Sequence, residues 1–494
     1  MGETMANSIE LAPSAGGLDE SAITPIIESE DAATLAGVRR SAIFGISTAL
    51  LLSIVTIWLS LAISSRPASA VPSFARQTGQ PCAACHTAFP ELTPFGRRFK
   101  LSGYTLQGGD TKLPPVSGMI MPTFTHTQAS QDPGSQTPGT KTNNNLVTQQ
   151  ITGFYAGQVY GNLGAFIQVT GNPVTGQIAL DASDARYVDT FKVFGKDALW
   201  GVTVNNTPTV QDVWNTTPAF SFPQIASSLA PAFSPPLTHI EGGWGQKVAG
   251  AGGYIFWNDM LYAELTGYGG LTRSAQETLG EIPGPTPDGL KGVAPYWRLA
   301  LEPHWGDHYL MIGTFGMYGQ VIPSGVFGFG TDNFTDIGFD SQYQYDGNQY
   351  SVTLKLTDII EQQKLNSTFA QGGSSNLKNR LNSFKASTTF VWDHTYEATA
   401  GYFNVSGSRD IGLYSGSSVN NSPNGEGLIF DLAYLPFSHG SPWPYSTYNA
   451  RIGISYTKYL KAFGGTSNFD GAGPGGTHDA KGNNTTLLYV WLAF

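Results

Sequence analysis

Residues 118–494 alternate apolar and polar side chains with period two, and this alternation constrains the fold more than any other feature of the chain. Such alternation places the two kinds of side chain on opposite faces of a β-strand. Charged residues make up only 13% of the chain, which favours a β-rich wall over a soluble helical bundle. One representative stretch covers residues 350–357. Its apolar or aromatic face carries Tyr350, Val352, Leu354 and Leu356, and its polar face carries Ser351, Thr353, Lys355 and Thr357.

The connections between the predicted strands fall into two classes of length. Short turns on one side and long loops on the other are typical of a bacterial outer-membrane β-barrel, whereas a soluble sandwich has shorter strands and more uniform loops. One strand on each side of every long loop gives about 16 strands, so we expect an all-β, antiparallel transmembrane barrel over residues 116–494. Short turns are predicted near 160–162, 195–196, 258–259, 346–348 and 393–394, and long loops near 128–144, 172–181, 207–245, 270–293, 319–333, 361–382, 407–426 and 462–483.

The final residues support the barrel interpretation. Phe494 shares one face of an alternating strand with Leu492, Val490, Leu488 and Thr486. A terminal aromatic residue on an amphipathic last strand resembles the assembly signal of bacterial outer-membrane proteins. A buried C-terminal strand of a soluble protein is the alternative. Both termini of an even-stranded barrel lie at its periplasmic end, so we expect the segment before the barrel to enter from that side.

The chain contains two cysteines, and both lie in the sequence Cys82-Ala83-Ala84-Cys85-His86. Cys-x-x-Cys-His is the attachment signature of a c-type haem, in which the thiols bond to the vinyl groups and the histidine is the proximal iron ligand. The alternatives are a thioredoxin-like redox pair, which would need a βαβ context, and a chance match. The sequence therefore predicts one haem c, held by Cys82, Cys85 and His86.

Residues 71–115 form the predicted monohaem segment, which is too short to bury a haem by itself. Thr93 and Pro94 are typical of a helix start, and the helix is expected to end at Gly103. The haem must therefore be packed in or at the barrel lumen. Arg97 and Arg98 are candidate partners of the haem propionates, with a solvated helix face as the alternative.

Candidate distal ligands of the haem iron lie on the first predicted strand. Met119 and Met121 share its polar, lumen-facing side with threonines, whereas a regular strand turns His126 toward lipid or the rim. A thioether is a recognised sixth ligand of haem iron. We therefore rank Met119 first, Met121 second and His126 third. Inert packing of the methionines and an iron without a distal protein ligand are the alternatives.

Residues 1–70 are interpreted as a leader. Arg39 and Arg40 precede an apolar run over 42–63, and residues 68–70 offer a small-residue cleavage site. This layout is typical of a secretory signal peptide, and a retained inner-membrane helix is the alternative. Residues 1–38 are acidic and unpatterned, so we assign them no fold.

Several stretches resemble the fused outer-membrane cytochrome–porin family, whose best-known members are Fe(II) oxidases of iron-oxidising bacteria. The resemblance begins at the predicted mature start and continues to the last residue. The stretches that carry it are VPSFARQTG (71–79), CAACHT (82–87), FPELTPFGR (89–97), KLSGY (100–104), VNNTPTVQDVWN (204–215) and WLAF (491–494).

The resemblance implies a single haem at the periplasmic mouth of a barrel of about 16 strands, or inside it, and passage of electrons across the outer membrane. Fe(II) is the implied electron donor, and a periplasmic cytochrome c or cupredoxin is the expected acceptor. No motif by itself specifies Fe(II), so a conduit for another donor or acceptor, or a diffusion porin with a haem-bearing plug, remains an alternative. The net charge of −10 argues against a nucleic-acid partner.

Two further features bear on the substrate and the lumen. Asp332 and Asp336 are candidate extracellular residues that attract Fe(II), with solvated loop residues as the alternative. The loop that follows residue 206 is rich in proline and aromatic residues. It is expected to fold inward as a constriction or haem cover, or else to pack outside the barrel.

Overall fold

A computed structural model describes residues 72–109, 113–130, 137–230, 236–280, 288–418, 420–440, 448–469 and 477–494. The predicted leader and signal peptide, residues 1–70, lie outside the described residues. Among the described residues, no α-helix is long and apolar enough to cross a membrane.

The described residues form a closed barrel of sixteen antiparallel strands, as the alternation predicted. Each strand pairs with its sequence neighbour, and the ring closes where the first strand pairs with the last, for example Ile120 opposite Leu492. The strands are β1 (Val116–Thr127), β2 (Asn145–Tyr160), β3 (Leu163–Asn172), β4 (Asp184–Val193), β5 (Lys196–Asn205), β6 (Val248–Trp257), β7 (Leu261–Gly270), β8 (Val293–Leu301), β9 (His308–Ile322), β10 (Asp332–Asp346), β11 (Tyr350–Lys364), β12 (Lys378–Trp392), β13 (Tyr396–Gly407), β14 (Gly425–Tyr434), β15 (Asn449–Lys461) and β16 (Thr485–Ala493).

The two classes of connection lie at opposite ends of the barrel. The eight long loops follow the eight odd-numbered strands, from β1 to β15. The short connections follow the even-numbered strands at the other end of the barrel, and all five predicted short turns are confirmed there. Two connections at that end are longer than expected: the β8–β9 connection carries a short strand at His304–Trp305, and the β14–β15 connection runs from residue 435 to 448.

The two faces of the barrel have opposite chemistry. On β11 the polar side chains Ser351, Thr353 and Lys355 are buried inside, whereas Leu354 and Leu356 are 44% and 49% exposed on the outside. This distribution is the reverse of a water-soluble barrel and matches a barrel whose outer face lies against lipid. The apolar outer face therefore rules out the alternative fold, a water-soluble β-sandwich.

Short helices, turns and strands lie before the barrel and in its loops. Among the described residues, three helices precede β1, and they are α1 (Pro72–Thr78), α2 (Cys82–Cys85) and α3 (Pro94–Leu101). The others lie in the loops: α4 (Arg273–Thr278), α5 (Asn366–Ala370), α6 (Ile411–Tyr414), 3₁₀ turns at Pro218–Phe220, Pro323–Gly325 and Ala480–Asn483, a π-helical turn at His239–Gly243, and short strands at Gln177–Leu180, Gly289–Leu290, Ser467–Phe469 and Thr477–Asp479.

The segment 72–109 occupies the lumen at the short-turn end. Its backbone and side chains bond to lumenal residues of several strands: Arg451 donates to the carbonyl of Phe89 at 2.7 Å, and Lys355 pairs with Glu91. The loop 206–247 also folds inward, which decides between the two expectations for it. Its Asp212 lies 3.3 Å from Arg298 of β8, and Arg298 also binds Asp340 of β10 at 2.7 Å.

We expect Arg298→Ala to lower the free energy of unfolding by about 3–5 kcal/mol, because it leaves two buried carboxylates, Asp212 and Asp340, without their cation. Denaturant titration of the purified barrel in detergent, followed by tryptophan fluorescence, measures this loss. Lys192→Ala is the control, since its pair with Asp197 is exposed and such changes stay within about 0.5 kcal/mol. Equal effects of the two variants would contradict the role of the Arg298 bridge.

Candidate functional site

The two cysteines lie on the single helical turn α2, which places both thiols within one turn of each other. His86 closes the turn, its backbone N–H donating to the carbonyl of Cys82 at 2.9 Å. Both thiols are free and buried, with Cys82 2% and Cys85 7% exposed. Burial raises the pKa of each thiol to about 12, so both are protonated and uncharged at neutral pH.

Helix α3 fixes the backbone of this turn. Thr93 is the predicted N-cap, and its hydroxyl accepts from the N–H of Gly96 at 3.1 Å and donates to the carbonyl of Ala84 at 2.6 Å. The N–H of Thr93 donates to the carbonyl of Cys85 at 2.9 Å. Gly96 packs directly on that same carbonyl, and any side chain at position 96 would overlap the Cys85 oxygen. A glycine is therefore required where α3 crosses the cysteine turn.

His86 is held in one tautomer. Its Nδ1 lies 3.2 Å from the carbonyl oxygen of Glu91, and a carbonyl can only accept, so Nδ1 carries the proton and Nε2 keeps its lone pair. Burial lowers the pKa of His86 to about 4, which keeps the ring neutral. A neutral imidazole with one nitrogen bonded to a backbone carbonyl is the usual state of a metal-ligating histidine.

The Glu91 side chain anchors the histidine's hydrogen-bond partner to the barrel wall. It pairs with Lys355 of β11 and accepts from Gln224 of the long loop at 2.8 Å. The position of the His86 ring therefore depends on contacts with both the wall and the loop.

A cavity of about 430 Å³ adjoins this turn, a size typical of small-molecule and cofactor sites. Its walls come from the N-terminal segment, from the first and last strands, and from the loop 206–247. Most of the lining is aromatic or aliphatic, with a few polar groups. The lining includes Phe74, Cys85, His86, Gly96, Phe99, Lys100, Met119, Met121, Phe166, Asn215, Phe220, Gln224, Asn449 and Trp491.

The methionines of β1 face this cavity, as their position on the lumenal face predicts. Met119 and Met121 are each 3% exposed and line it. The sulfur of Met121 accepts from Gln149 at 3.7 Å, whereas that of Met119 has no donor among the described residues. His126 is exposed, its Nδ1 lies 2.8 Å from Asn144, and it does not line the cavity. The structure brings Met119 and Met121 to His86 and leaves His126 at the outer face.

Arg97 and Arg98 do not line the cavity. Arg97 binds Glu302 at 3.2 Å and Gln344 at 2.5 Å, and Arg98 pairs with Asp259 at the short-turn end. Both line a different cavity, of about 320 Å³. Lys100 is the basic residue that lines the cavity beside His86, and it was not among the candidates predicted from the sequence. Helical spacing from Gly96 could have found it, because Phe99 and Lys100 lie three and four residues further on.

The long loop covers the cavity from the other side. Asn215 donates to the carbonyl of Pro90 at 3.1 Å, and residues 218–221 lie in the cavity wall. The stretches whose sequence carried the family resemblance, including 72–74, 85–86, 215 and 491, thus meet around one cavity.

The acidic residues proposed to attract Fe(II) are not exposed loop residues. Asp332 is 2% exposed and accepts from the N–H groups of Ser367 and Thr368, whereas Asp336 is 3% exposed and accepts from that of Ile240 at 2.7 Å. The expectation that they are extracellular residues that attract Fe(II) and the alternative that they are solvated loop residues were both wrong, because the alternation along β10 points them into the lumen. In the described part of the chain, no group of three or more His, Cys, Asp or Glu side chains is placed to hold a metal ion.

Comparisons with known proteins returned likenesses of overall structure only. No protein-family profile and no curated protein sequence matches the chain. Solved structures similar to it include OmpT, an outer membrane protein of Vibrio cholerae (10% identity, 77% of this chain and 96% of that chain, TM-score 0.37). The outer membrane channel DcaP of Acinetobacter baumannii (12%, 77% and 96%, 0.41) and an anion-selective porin from Comamonas acidovorans (11%, 76% and 98%, 0.39) are also similar. The fold assignment rests on the closed ring of strands described above.

We expect Gly96→Ala to lower the free energy of unfolding by about 1–3 kcal/mol, because the added methyl overlaps the Cys85 carbonyl and displaces the cysteine turn. In an open helix the same change would stabilise the protein by up to about 1 kcal/mol. Denaturant titration of the purified chain in detergent measures the loss. Gly416→Ala is the matched control, since a side chain there meets nothing within 4 Å. An unchanged free energy of unfolding in Gly96→Ala would contradict the packing argument.

Lys100 makes the free energy of unfolding of the chain depend on pH. Burial, together with the nearby Arg186, lowers its pKa in the folded chain to about 7, against 10.5 when unfolded. Between these values the unfolded chain binds one more proton, so the free energy of unfolding rises with pH, by up to about 1.4 kcal/mol per pH unit. Denaturant titrations from pH 7 to 10 should show this rise in Cys82→Ala/Cys85→Ala. Adding Lys100→Met should remove it, and parallel pH profiles would contradict the assignment.

Proposed function

We propose that this chain is an outer-membrane barrel that carries one c-type haem in its lumen and passes electrons across the membrane. The observation that carries the proposal is the placement of Cys85 and His86 on a lumenal cavity that the thioether side chains of Met119 and Met121 also line. A reduced Cys-x-x-Cys pair on one helical turn, followed by a neutral histidine with a fixed tautomer, fits covalent haem attachment. A bound haem would supply one-electron chemistry at its iron.

The chain's own residues have distinct tasks in this proposal. Cys82 and Cys85 hold the cofactor covalently, His86 Nε2 provides a proximal ligand, and Met119 is the first candidate for the distal ligand, ahead of Met121. Phe74, Phe99 and Phe220 exclude water from the cavity, and such a dry environment tunes the potential of a metal centre.

The barrel wall supports the proposed location. The ring of sixteen strands is closed, so the wall presents no open sheet edge to the lipid, and its outer face is apolar. On this proposal the short turns and the segment 72–109 lie on the periplasmic side, where a cytochrome c or cupredoxin accepts the electron. The long loops then lie outside the cell.

Fe(II) is the proposed electron donor, with an Fe(II)-oxidising cytochrome as the corresponding enzyme class. This choice follows the sequence resemblance, and a conduit for a different donor or acceptor has the same architecture. Ferric products precipitate, so oxidation outside the cell would protect the interior. A brief encounter of Fe(II) with the loops, rather than a tight protein site, suffices for one-electron transfer.

A diffusion porin with a haem-bearing plug is the second candidate. Barrels of 16 strands are wide enough for an aqueous channel. A further cavity of about 580 Å³ lies between the long loop and strands β11–β16. Most of its lining is apolar, but serine and threonine hydroxyl groups, Lys355 and Lys385 also face it and favour this function. The inward segment 72–109 and the loop 206–247 narrow the lumen and favour the conduit instead.

Purified, haem-loaded protein mixed anaerobically with Fe(II) tests the proposal. We expect the absorption spectrum of the oxidised protein to convert to that of the reduced protein, and Cys82→Ala/Cys85→Ala to lose both the covalent haem and the response. Single-channel conductance in planar bilayers is measured in parallel. Absence of reduction by Fe(II), together with open-channel conductance, would support the porin.

The distal ligand is tested by the spectrum of the reduced protein. We expect Met119→Ala to change it by removing a thioether ligand, and Met121→Ala, which alters the same wall of the cavity, to leave it close to wild type. A changed spectrum only in Met121→Ala would transfer the assignment to that residue. Spectra unchanged in both variants would remove both methionines.

A further inference from the structure

Buried cations in the lumen have carboxylate partners, with one exception. Burying an ammonium or guanidinium group is costly unless an opposite charge accompanies it. Five of the six buried lysine and arginine side chains in the described residues meet this requirement. The pairs are Arg97 with Glu302, Arg186 with Asp184, Arg298 with Asp212 and Asp340, Lys355 with Glu91, and Arg451 with Glu397 and Asp431.

Lys100 is the exception. It is 8% exposed, and no carboxylate of the described residues lies within 4.0 Å of its ammonium group. Nζ donates to the backbone carbonyl of Asp212 at 2.6 Å and lies 4.6 Å from the centre of the Phe220 ring. A carbonyl and an aromatic face leave most of the cost of burying the charge uncompensated. Lys100 lines the cavity beside His86, so the space next to it is open to a ligand.

The acidic groups around Lys100 are occupied elsewhere. Asp184 and Arg186 of β4 pair with each other at 2.5 Å, and Glu264 of β7 accepts from Gln211 at 2.7 Å. The carboxylate of Asp212 faces Arg298 and accepts from backbone N–H groups of its own loop.

Asp181 also lines the cavity, and it too is occupied. Its carboxylate accepts from Gln168 at 3.0 Å, Thr170 at 3.1 Å and Gln246 at 2.8 Å. Among the described residues, the protein thus provides a buried lysine at the cavity wall and no carboxylate in direct contact with its ammonium group.

We propose that Lys100 is the counter-ion for a carboxylate of the molecule that fills the cavity, and that this carboxylate is a haem propionate; the identity of the ligand rests on the function proposed above. A propionate would supply the missing negative charge and restore the charged state of the lysine. Arg97 and Arg98 then contribute to the mouth of the barrel through Glu302 and Asp259 and take no part in holding the cofactor. Lys100 is a positioning residue for the cofactor.

Esterified haem provides the direct test, because it lacks the carboxylates and keeps the ring. Full-length Cys82→Ala/Cys85→Ala protein in detergent is titrated with free haem and with haem dimethyl ester, followed by absorption. We expect haem to bind about tenfold more tightly than the ester, the ratio typical of one charge-assisted hydrogen bond. Adding Lys100→Met should reduce the ratio to about one, and Lys100→Arg should retain most of it.

Lys385→Met is the matched control, because Lys385 is a lumenal lysine that pairs with Glu241 and does not line this cavity. Its ratio should equal that of the parent. Equal ratios for the parent and Lys100→Met, with haem bound by both, would overturn the Lys100 assignment and leave the proposed function intact.

The covalently loaded protein gives an independent readout. A cation beside the cofactor favours its reduced form, so Lys100→Met should shift the reduction equilibrium about tenfold toward the oxidised form, equivalent to about 59 mV for a one-electron couple. An unchanged potential in Lys100→Met would overturn the assignment even if the cysteine variants bind no free haem. Wild-type chain that acquires no covalent haem at all would overturn the proposed function and this inference with it.

Discussion

The site depends on a segment that is too small to enclose its own functional groups. Residues 72–109 contain three short helices, and the buried groups among them are completed by the barrel: Glu91 by Lys355, Arg97 by Glu302, and the carbonyl of Phe89 by Arg451. Lys355 lies on β11, Arg451 on β15 and Glu302 directly after β8, so these partners come from separate parts of the ring. The arrangement of the segment therefore depends on the closed barrel.

The polar lumen provides partners for the segment 72–109, but its buried charges must themselves be paired. A soluble protein would bury leucine and valine at these positions, whereas the inner face here carries charged and hydroxyl side chains. Each buried charge needs a partner, and the inward loop 206–247 supplies Asp212 for Arg298 and Glu241 for Lys385. The need for a partner also draws attention to Lys100. The other buried lysine and arginine side chains of the described residues are paired with carboxylates, whereas Lys100 lies beside the cavity without one.

Much of the architecture could be predicted from the sequence, because strand alternation and turn chemistry are local properties. The sixteen strands, the five short turns, the eight long loops and the Thr93 cap of α3 are all confirmed. The lumenal positions of Met119 and Met121 followed from counting along β1. The Cys-x-x-Cys-His spacing identified the turn that faces the cavity, and the structure gives His86 the tautomer that this interpretation needs.

The remaining features depended on contacts between residues far apart in the chain. Asp332 and Asp336 were expected at the surface, but both lie on the lumenal face of β10 and are buried. Arg97 and Arg98 looked like cofactor partners because they are basic and close to Cys85, yet Glu302 and Asp259 lie more than 160 positions further along the chain and bind them. The sequence determined which face of each strand is polar and that Cys82, Cys85 and His86 lie on one turn, because these are set within a few residues. Only the closed barrel decided which charges meet, because ring closure brings the first and last strands, the inward loop and α3 to one cavity.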